Sequence, residues 1–521
     1  MSGALLTTAV CAAPADDFNA VRDVANRVGS IIGSAEACQN IAQSHIRNVV
    51  GKFRDVIRYV STNDADRENL TQLFERYVTD GRTAVTMGKV TCDTADRQFA
   101  DLEQAVTIPA VAAPSSIPST PSNATASSTT PIAPVASAAP AAPMPQPVTV
   151  RGVTDREIRF GIAAPFTGTS RDLGHQMEIG ITTAFNRIND AGGVHGRMLR
   201  LISADDGYEP SRTLAAMKQL YEKDQVFANI GNVGTPTAVI ALPYALEHRV
   251  LFFGAFTGAG LLRNVPPDRY VFNYRASYEE ETDAVVRYLL KIRHLQPNQI
   301  AVFAQQDAYG DAGYAGVAKA YRSLGLNDAA ILRVNYKRNT IDVDEAINSL
   351  REQRPRIEAV VMVATYRAAA KFIEKTRGLF PRMTYTNVSF VGSTELANEL
   401  MLLGSRFARG VIVTQVVPAV SGYSTIVLEY KSALAKYFPG EAPNYVSLEG
   451  YVTANLLIEG LKRAGPQIDT ETLADTLENM HDLDLGLGTP LSFGRDQHQA
   501  SHKVWATVID EKGNFQPLDL Q

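Results

Sequence analysis

The chain reads as an α/β protein of two Rossmann-like lobes with parallel sheets, preceded by a small all-α domain and a disordered linker. Three observations predict this. From Ile158 to Arg263, strand and helix patterns alternate in a way that builds a parallel sheet covered on both faces. The same kind of unit returns after Tyr274, which makes two lobes. Small polar residues also gather just past successive strand ends, where open parallel sheets bind ligands.

The elements follow in order. IRFGIAAPFTG (158–168) is an apolar strand, and Ile179, Ala184, Phe185 and Ile188 then recur at helix spacing. The helix breaks at the glycine-rich INDAGGVHG (188–196), and a second strand, MLRLISADD, ends in the pair Asp205-Asp206. A helix over 211–223 and a strand over 226–230 lead into GNVGTPTAVIALP and VLFFGAFTGAGLLR. Beyond these, the pattern predicts a strand near 270–274 and a helix over 279–292 that starts at a Ser277-x-x-Glu280 capping box. QIAVFAQ, AILRVNY, AVVMVAT and VSFVG (388–392) read as further strands, each before a helix or a polar turn. The main body is expected over 150–521, one lobe holding 155–273 with 415–486, the other 274–414 with 487–517.

Upstream the character changes twice. Residues 16–106 read as helical, with one apolar stripe at Val49, Val50, Phe53, Ile57 and Val60 and another at Leu70, Leu73, Phe74, Tyr77 and Val78. Residues 107–149 are Pro, Ala, Ser and Thr with no charge, and hold ten of the 26 prolines. That composition cannot bury a core and reads as an extended linker. At 521 residues, several domains are expected. A net charge of −5 gives no reason to expect a nucleic-acid partner, and no apolar run reaches the ~18 residues of a membrane span. Attachment to a membrane is peripheral at most.

Residues 1–15 resemble the end of a secretory signal, with Ala13-Pro14-Ala15 as a small-x-small cleavage pattern, although no Lys or Arg precedes the apolar stretch. A loose apolar N-terminus is the alternative, and Cys11 as a lipid acceptor is a third reading. In an oxidising compartment Cys38 and Cys92 form an even pair, so a disulfide is expected in preference to two independent thiols.

Binding chemistry concentrates at the strand ends. Gly234-Thr235-Pro236-Thr237 lies between a strand and an apolar helix, where a hydroxyl and free N–H groups suit an anion such as a carboxylate. Alternatively, Thr235 only caps its own helix. The next strand end, Phe256-Thr257-Gly258, is again small and hydroxylated apart from its phenylalanine. In the second half Tyr309, Tyr366 and Thr394-Glu395 take the equivalent places, and aromatic walls with one acid suit a ligand carrying a cation or amine.

In this order, IRFGIAAPFTG, INDAGGVHGRMLRLISADD, IGNVGTPTAVIALP, FFGAFTGA, QDAYGDAG, VGSTELAN and GYVTANLLIEGLKRAG resemble the type I periplasmic binding proteins. More closely, they resemble the leucine/isoleucine/valine-binding family that delivers ligands to ABC importers. The resemblance runs from Asp155 to about Pro517. It implies two lobes joined by three hinge strands, a ligand carboxylate held at Thr235, and backbone and hydroxyl donors from Phe256, Thr257 and Gly258. It also implies tyrosine contacts from Tyr309 and Tyr366, and ABC permease subunits as partners. The acid that pairs with a ligand's ammonium aligns with Thr394, and Glu395 follows one position later. Phe256 stands where the family has a small residue and narrows the pocket.

Other chemistry finds little support. The glycines at 192, 193 and 196 do not form a dinucleotide fingerprint, no Walker loop is present, and no nucleophile–base arrangement appears. His498 and His502 lie four apart near Asp496, in a segment that reads as a turn between strands, so chance spacing is preferred to a metal pair. No cofactor, metal or catalytic set is expected. The function expected is the periplasmic solute-binding component of an ABC importer, for a small polar ligand such as a branched-chain or other amino acid, an amide or a carboxylate; the alternative is a ligand-sensing or regulatory module on the same fold.

Overall fold

The computed structural model describes residues 150–520 apart from 354–355. Before them it describes 28–38, 64–88, 90–107 and a few positions between 25 and 57. The signal-like segment with Cys11, Val60 and the stretch 108–149 lie outside the described residues. The chain divides into two compact units, Met1–Pro140 and Ala141–Gln521.

In the first unit, helical residues 28–36 are followed by α1 (Asp64–Thr86) and α2 (Cys92–Thr107). Val49, Phe53 and Ile57 of one apolar stripe and Leu70, Phe74 and Val78 of the other are buried in one core. Glycines let the helices touch backbone to backbone. A Cβ on Gly33 would lie 1.9 Å from the Val78 carbonyl oxygen, and one on Gly81 2.2 Å from that of Ser30. Cys38 and Cys92 are joined, their Cα atoms 5.5 Å apart across a separation of 54 residues. A loop of that length stabilises by about 4 kcal/mol in the chain-entropy model. Reduction is therefore expected to lower the melting transition of this unit and leave that of the second unit in place. Calorimetry with and without dithiothreitol checks this, and a shift of both transitions together would refute it.

The second unit opens with β1 (Glu157–Ala164), α3 (Arg171–Asp190), β2 (Met198–Asp205), α4 (Pro210–Lys218), β3 (Ala228–Ile230), α5 (Thr235–Glu247), β4 (Leu251–Phe253) and β5 (Val271–Phe272). The strands form a parallel sheet in the order β2-β1-β3-β4-β5. Strand β1 is buried on both faces from Phe160 onward, as its unbroken apolar run requires. The expected helix over 211–223 ends as regular α-helix at Lys218 and continues as a wider π-type turn to Lys223; the helix Tyr278–Arg287 does the same over Tyr288–Ile292.

The second sheet follows α6 (Tyr278–Arg287): β6 (Ile300–Gln305), α7 (Ala308–Ser323), β7 (Leu332–Tyr336), α8 (Asp344–Gln353), β8 (Ala359–Val363), α9 (Tyr366–Thr376), β9 (Thr384–Asn387), α10 (Ser393–Leu403) and β10 (Ile412–Gln415). After α11 (Thr425–Tyr437), α12 (Tyr445–Ala464) and α13 (Thr470–Glu478), β11 (Trp505–Ile509) and β12 (Phe515–Leu518) complete it. Its order is β12-β11-β10-β9-β8-β6-β7, parallel except for β11 and β12. One expected strand is displaced: the chain extends over Thr384–Asn387, and Ser389–Val391 within VSFVG is a 3-10 turn.

Helix α12 returns to the first lobe and packs on α3, so closely that a Cβ on Gly180 would sit 2.0 Å from the Ser447 carbonyl oxygen. Three crossings run side by side between the lobes. Asn273 pairs with Gln499, the Ser501 N–H donates to the Tyr274 carbonyl, and the Tyr274 hydroxyl donates to the Val416 carbonyl at 2.8 Å. These are the three hinge strands that the resemblance implies.

Candidate functional site

The C-terminal ends of both sheets face one another across the cleft. On the first lobe α5 begins at Thr235, and Gly234 takes the cap position at φ 109°, with no side-chain cap bond. A Cβ at Gly234 would meet the Tyr208 ring at 2.4 Å, so glycine is required there. Thr235 therefore does not cap its helix. Its hydroxyl lies 2.7 Å from that of Thr257, and both residues are fully buried. The Thr237 hydroxyl donates to the carbonyls of Val233 (2.6 Å) and Gly234 (3.1 Å), which commits its proton to its own helix and not to a ligand.

The loop after β4 also departs from expectation. The Phe256 N–H donates to Asn232, its carbonyl accepts from Gly234, and the Thr257 N–H donates to Ala255. The Phe256 groups join the two strand-end loops and the Thr257 N–H closes its own loop, so none of these three backbone groups is free. Gly258 makes room for Tyr278, whose N–H donates to the Gly258 carbonyl and whose ring a Cβ at 258 would meet at 2.7 Å.

Tyr278, absent from the sequence-based site, is its nearest neighbour. The Ser277–Glu280 capping box forms as expected and turns the following residue inward. The Tyr278 hydroxyl lies beside Thr257 and Thr235 without a well-formed hydrogen bond, and burial raises its pKa. Tyr309, in the first turn of α7, is also fully buried with an unpartnered hydroxyl, its ring 5.4 Å from that of Tyr278. Buried polar atoms are rarely left without partners. Two unmatched phenols thus stand beside the threonine pair.

Tyr366 does something else. Its hydroxyl bridges the lobes, 2.7 Å from both the Thr169 carbonyl and the Asp172 carboxylate. Asn339 donates to Glu209 at 2.6 Å, Arg338 pairs with Glu209 at 2.9 Å, and Gln305 donates to the Tyr208 hydroxyl at 3.2 Å. Tyr208 and Asn339 both hold left-handed backbone, φ 61° and 57°. Strained conformations of this kind persist where surrounding contacts enforce them. Together these contacts form a rim that holds the cleft shut.

Of the adjacent pair, Thr394 is partly exposed, whereas Glu395 is buried in the first turn of α10. One carboxylate oxygen accepts from Asn444 at 2.5 Å, across the cleft on the cap of α12, and the other has no partner. Burial pushes Glu395 up to about 7 against the pull of Asn444.

Behind the site lies a charge cluster that sequence reasoning missed. Arg275, on the first crossing, is 1% exposed and reaches Glu281 at 3.2 Å and Glu449 at 3.5 Å. Burial alone would lower its pKa, and the Glu449 and Glu281 charges overcome that and raise it. Glu281 also accepts from the Ser389 N–H (2.7 Å), the Ser389 hydroxyl (3.0 Å) and the Thr414 hydroxyl (2.5 Å). Burial pushes Glu449 up to about 7, with Arg275 opposing. No local pattern marks residues so far apart in sequence as partners. The histidines go separate ways: His498 stacks on Phe272, and His502 pairs with Glu280 at 2.6 Å. Among the described residues, no group of three or more His, Cys, Asp or Glu could hold a metal.

These groups set a pH dependence. Folded Glu395 and Glu449 keep protons to about pH 7 against an ordinary value of 4.5, and Asp206 to about 6 against 3.8. Between the ordinary and raised values the folded chain binds more protons than the unfolded one, so stability falls as pH rises through that window. His502, raised by its bond to Glu280, acts with the same sign, its contribution fading as pH passes its folded pKa. The second unit is expected to melt at a higher temperature at pH 5 than at pH 8. A melting series checks this, and the double variant Glu395→Gln, Glu449→Gln should flatten it; a higher melting point at pH 8 would overturn the assignment.

Residues 157–514 match the periplasmic binding protein family. A "Leu/Ile/Val-binding protein homolog 3" of Brucella melitensis is 26% identical over 341 residues, 64% of this chain and 86% of that protein. Among solved structures, "a possible leucine/isoleucine/valine-binding protein" from Rhodopirellula baltica shares 37% identity at a TM-score of 0.67, covering 72% of this chain and 99% of that one. A "substrate-binding periplasmic protein" from Ralstonia solanacearum shares 25% at 0.64, covering 70% and 100%. With two parallel-sheet lobes and three crossings, this chain belongs to the periplasmic binding protein family, as a type I solute-binding protein of the leucine/isoleucine/valine-binding kind.

Proposed function

We propose that this chain is the extracytoplasmic, periplasmic solute-binding component of an ABC importer. It takes a small polar ligand (an amino acid, amide or carboxylate) into the interlobe cleft and presents it to permease subunits. The observation that carries this reading is the convergence of the Thr235–Thr257 pair with the unpartnered Tyr278 and Tyr309 hydroxyls. Hydroxyls and the N–H groups that open α5 suit a carboxylate. The names of the relatives, including an "Amino acid binding protein" of Pseudomonas aeruginosa, support the same ligand class. In this reading the ligand bridges both lobes only in the closed state, so binding drives closure through differential affinity. A thermal-shift screen of amino acids, amides, aromatic acids and dicarboxylates tests it. A ligand at 100 times its dissociation constant should stabilise by about 2.7 kcal/mol, and a screen without any stabilising member would count against the reading.

Sensing is the second reading. The helical unit before residue 141 lies outside the family match and brings its own core and disulfide. Such a unit could contact a signalling partner. Permease and ATPase genes beside the coding sequence favour transport, and a kinase or cyclase gene favours sensing.

A further inference from the structure

Between the two sets of strand ends stands a side chain that the solute-binding reading does not use. Phe390 belongs to the 3-10 turn Ser389–Val391 and is fully buried. Its ring centroid lies 4.6 Å from Tyr309 and 6.4 Å from Tyr278 on its own lobe. It lies 5.1 Å from Phe256 and 6.1 Å from Tyr208 on the opposite lobe. One ring thus touches the walls of both lobes beside the hydroxyls that would hold a ligand.

The turn that carries it is held in place. The Ser389 N–H and hydroxyl both donate to Glu281, and Arg275 donates to the same hydroxyl. On the other side Gly392 adopts φ 77°, and a Cβ there would meet Leu173 of the first lobe at 2.6 Å. A ring fixed from both flanks is a wall and not a swinging gate. Because Phe256 packs against it from the other lobe, the apolar middle of the closed cleft is filled by the protein itself. The polar end keeps its unmatched hydroxyls.

We propose that Phe390 is a specificity-determining residue that limits the ligand to a short acid or amide. The class runs from acetate to alanine in size and lacks a branched or aromatic side chain. This rests on the cleft being the solute site. A methylene more or less in a hydrophobic pocket changes affinity by about 10- to 200-fold, so several extra carbons add up to exclusion. Close-packed aromatic walls leave little slack to absorb an extra group.

Calorimetry on the full chain tests it with a graded series: acetate, propionate, isovalerate, glycine, alanine, valine, leucine and phenylalanine. The wild type should bind short members and reject valine, leucine and phenylalanine. Phe390→Ala should gain the larger members by tenfold or more and change the short ones little. Phe390→Leu, which keeps more of the packing, should fall between, and circular dichroism confirms that each variant is folded. Wild-type affinity for leucine or phenylalanine equal to that for alanine overturns the proposal and leaves the solute site standing. So does an equal loss for every ligand in both variants. If no member binds any of the three proteins, the reading of the cleft as a small-acid site falls, and the size limit with it.

Discussion

Replacing Thr235 with alanine is expected to weaken ligand binding by about 10- to 150-fold. The hydroxyl is fully buried, 2.7 Å from that of Thr257 and beside the unpartnered Tyr278 phenol, so it belongs to a donor set with few other tasks. A hydrogen bond to a charged group contributes roughly 1.5–3 kcal/mol, and ~1.4 kcal/mol corresponds to one decade in affinity. The cost to folding arises differently from that of a lost helix cap, because Gly234 holds the cap position. Instead, Thr257 loses a buried partner, a penalty of about 1–3 kcal/mol. Thr235→Ser keeps the hydroxyl and should keep most of the affinity. Calorimetry on both variants separates the roles: alanine binding as tightly as wild type would place the ligand's acid group elsewhere.

The largest stability effect is expected at Arg275. Substitution by methionine keeps much of the volume and removes the cation that Glu281 and Glu449 face from opposite lobes. Removing one partner of a buried pair typically costs about 3–5 kcal/mol, because the remaining charge has no solvent to stabilise it. Chemical denaturation should show a loss of that size at pH 8. At pH 5 the loss should be smaller, since Glu449 takes up a proton below about 7 and no longer needs the cation. Adding Glu449→Gln to Arg275→Met should recover part of the loss, as expected for two residues in one network. A loss below about 1 kcal/mol at pH 8 would mean that the cluster is solvated and that the arginine contributes packing alone. Because Arg275 also lies over the Phe256 and Tyr278 rings, at 5.0 and 5.8 Å, affinity should fall along with stability.

Much of this protein was legible along the chain because its signals are local. The unbroken apolar run Phe160–Ala164 marks a strand covered on both faces, and the glycines at 192, 193 and 196 end a helix wherever it packs. The Ser277–Glu280 box starts α6 through contacts three residues apart. Strand–helix alternation then leaves few topologies, and the ligand face of a parallel sheet follows from its strand direction. Thus the two lobes, and Thr235, Thr257 and Tyr309 as candidates at their strand ends, were available before any coordinates.

The tertiary structure decided which groups at those strand ends are free. Thr237 and the Phe256 and Thr257 amides carry the right chemistry, yet neighbouring carbonyls take their protons. Tyr366 and Tyr309 look equivalent in sequence. One spans the rim to Asp172 and Thr169, whereas the other ends unpartnered inside the cleft. A change from strand to 3-10 turn within VSFVG puts Phe390 between the lobes, and Arg275 finds Glu449 only because α12 folds back onto α3. Periodicity and capping are fixed by neighbours a few residues away. Hydrogen-bond partners and buried charges depend on what arrives from the other lobe.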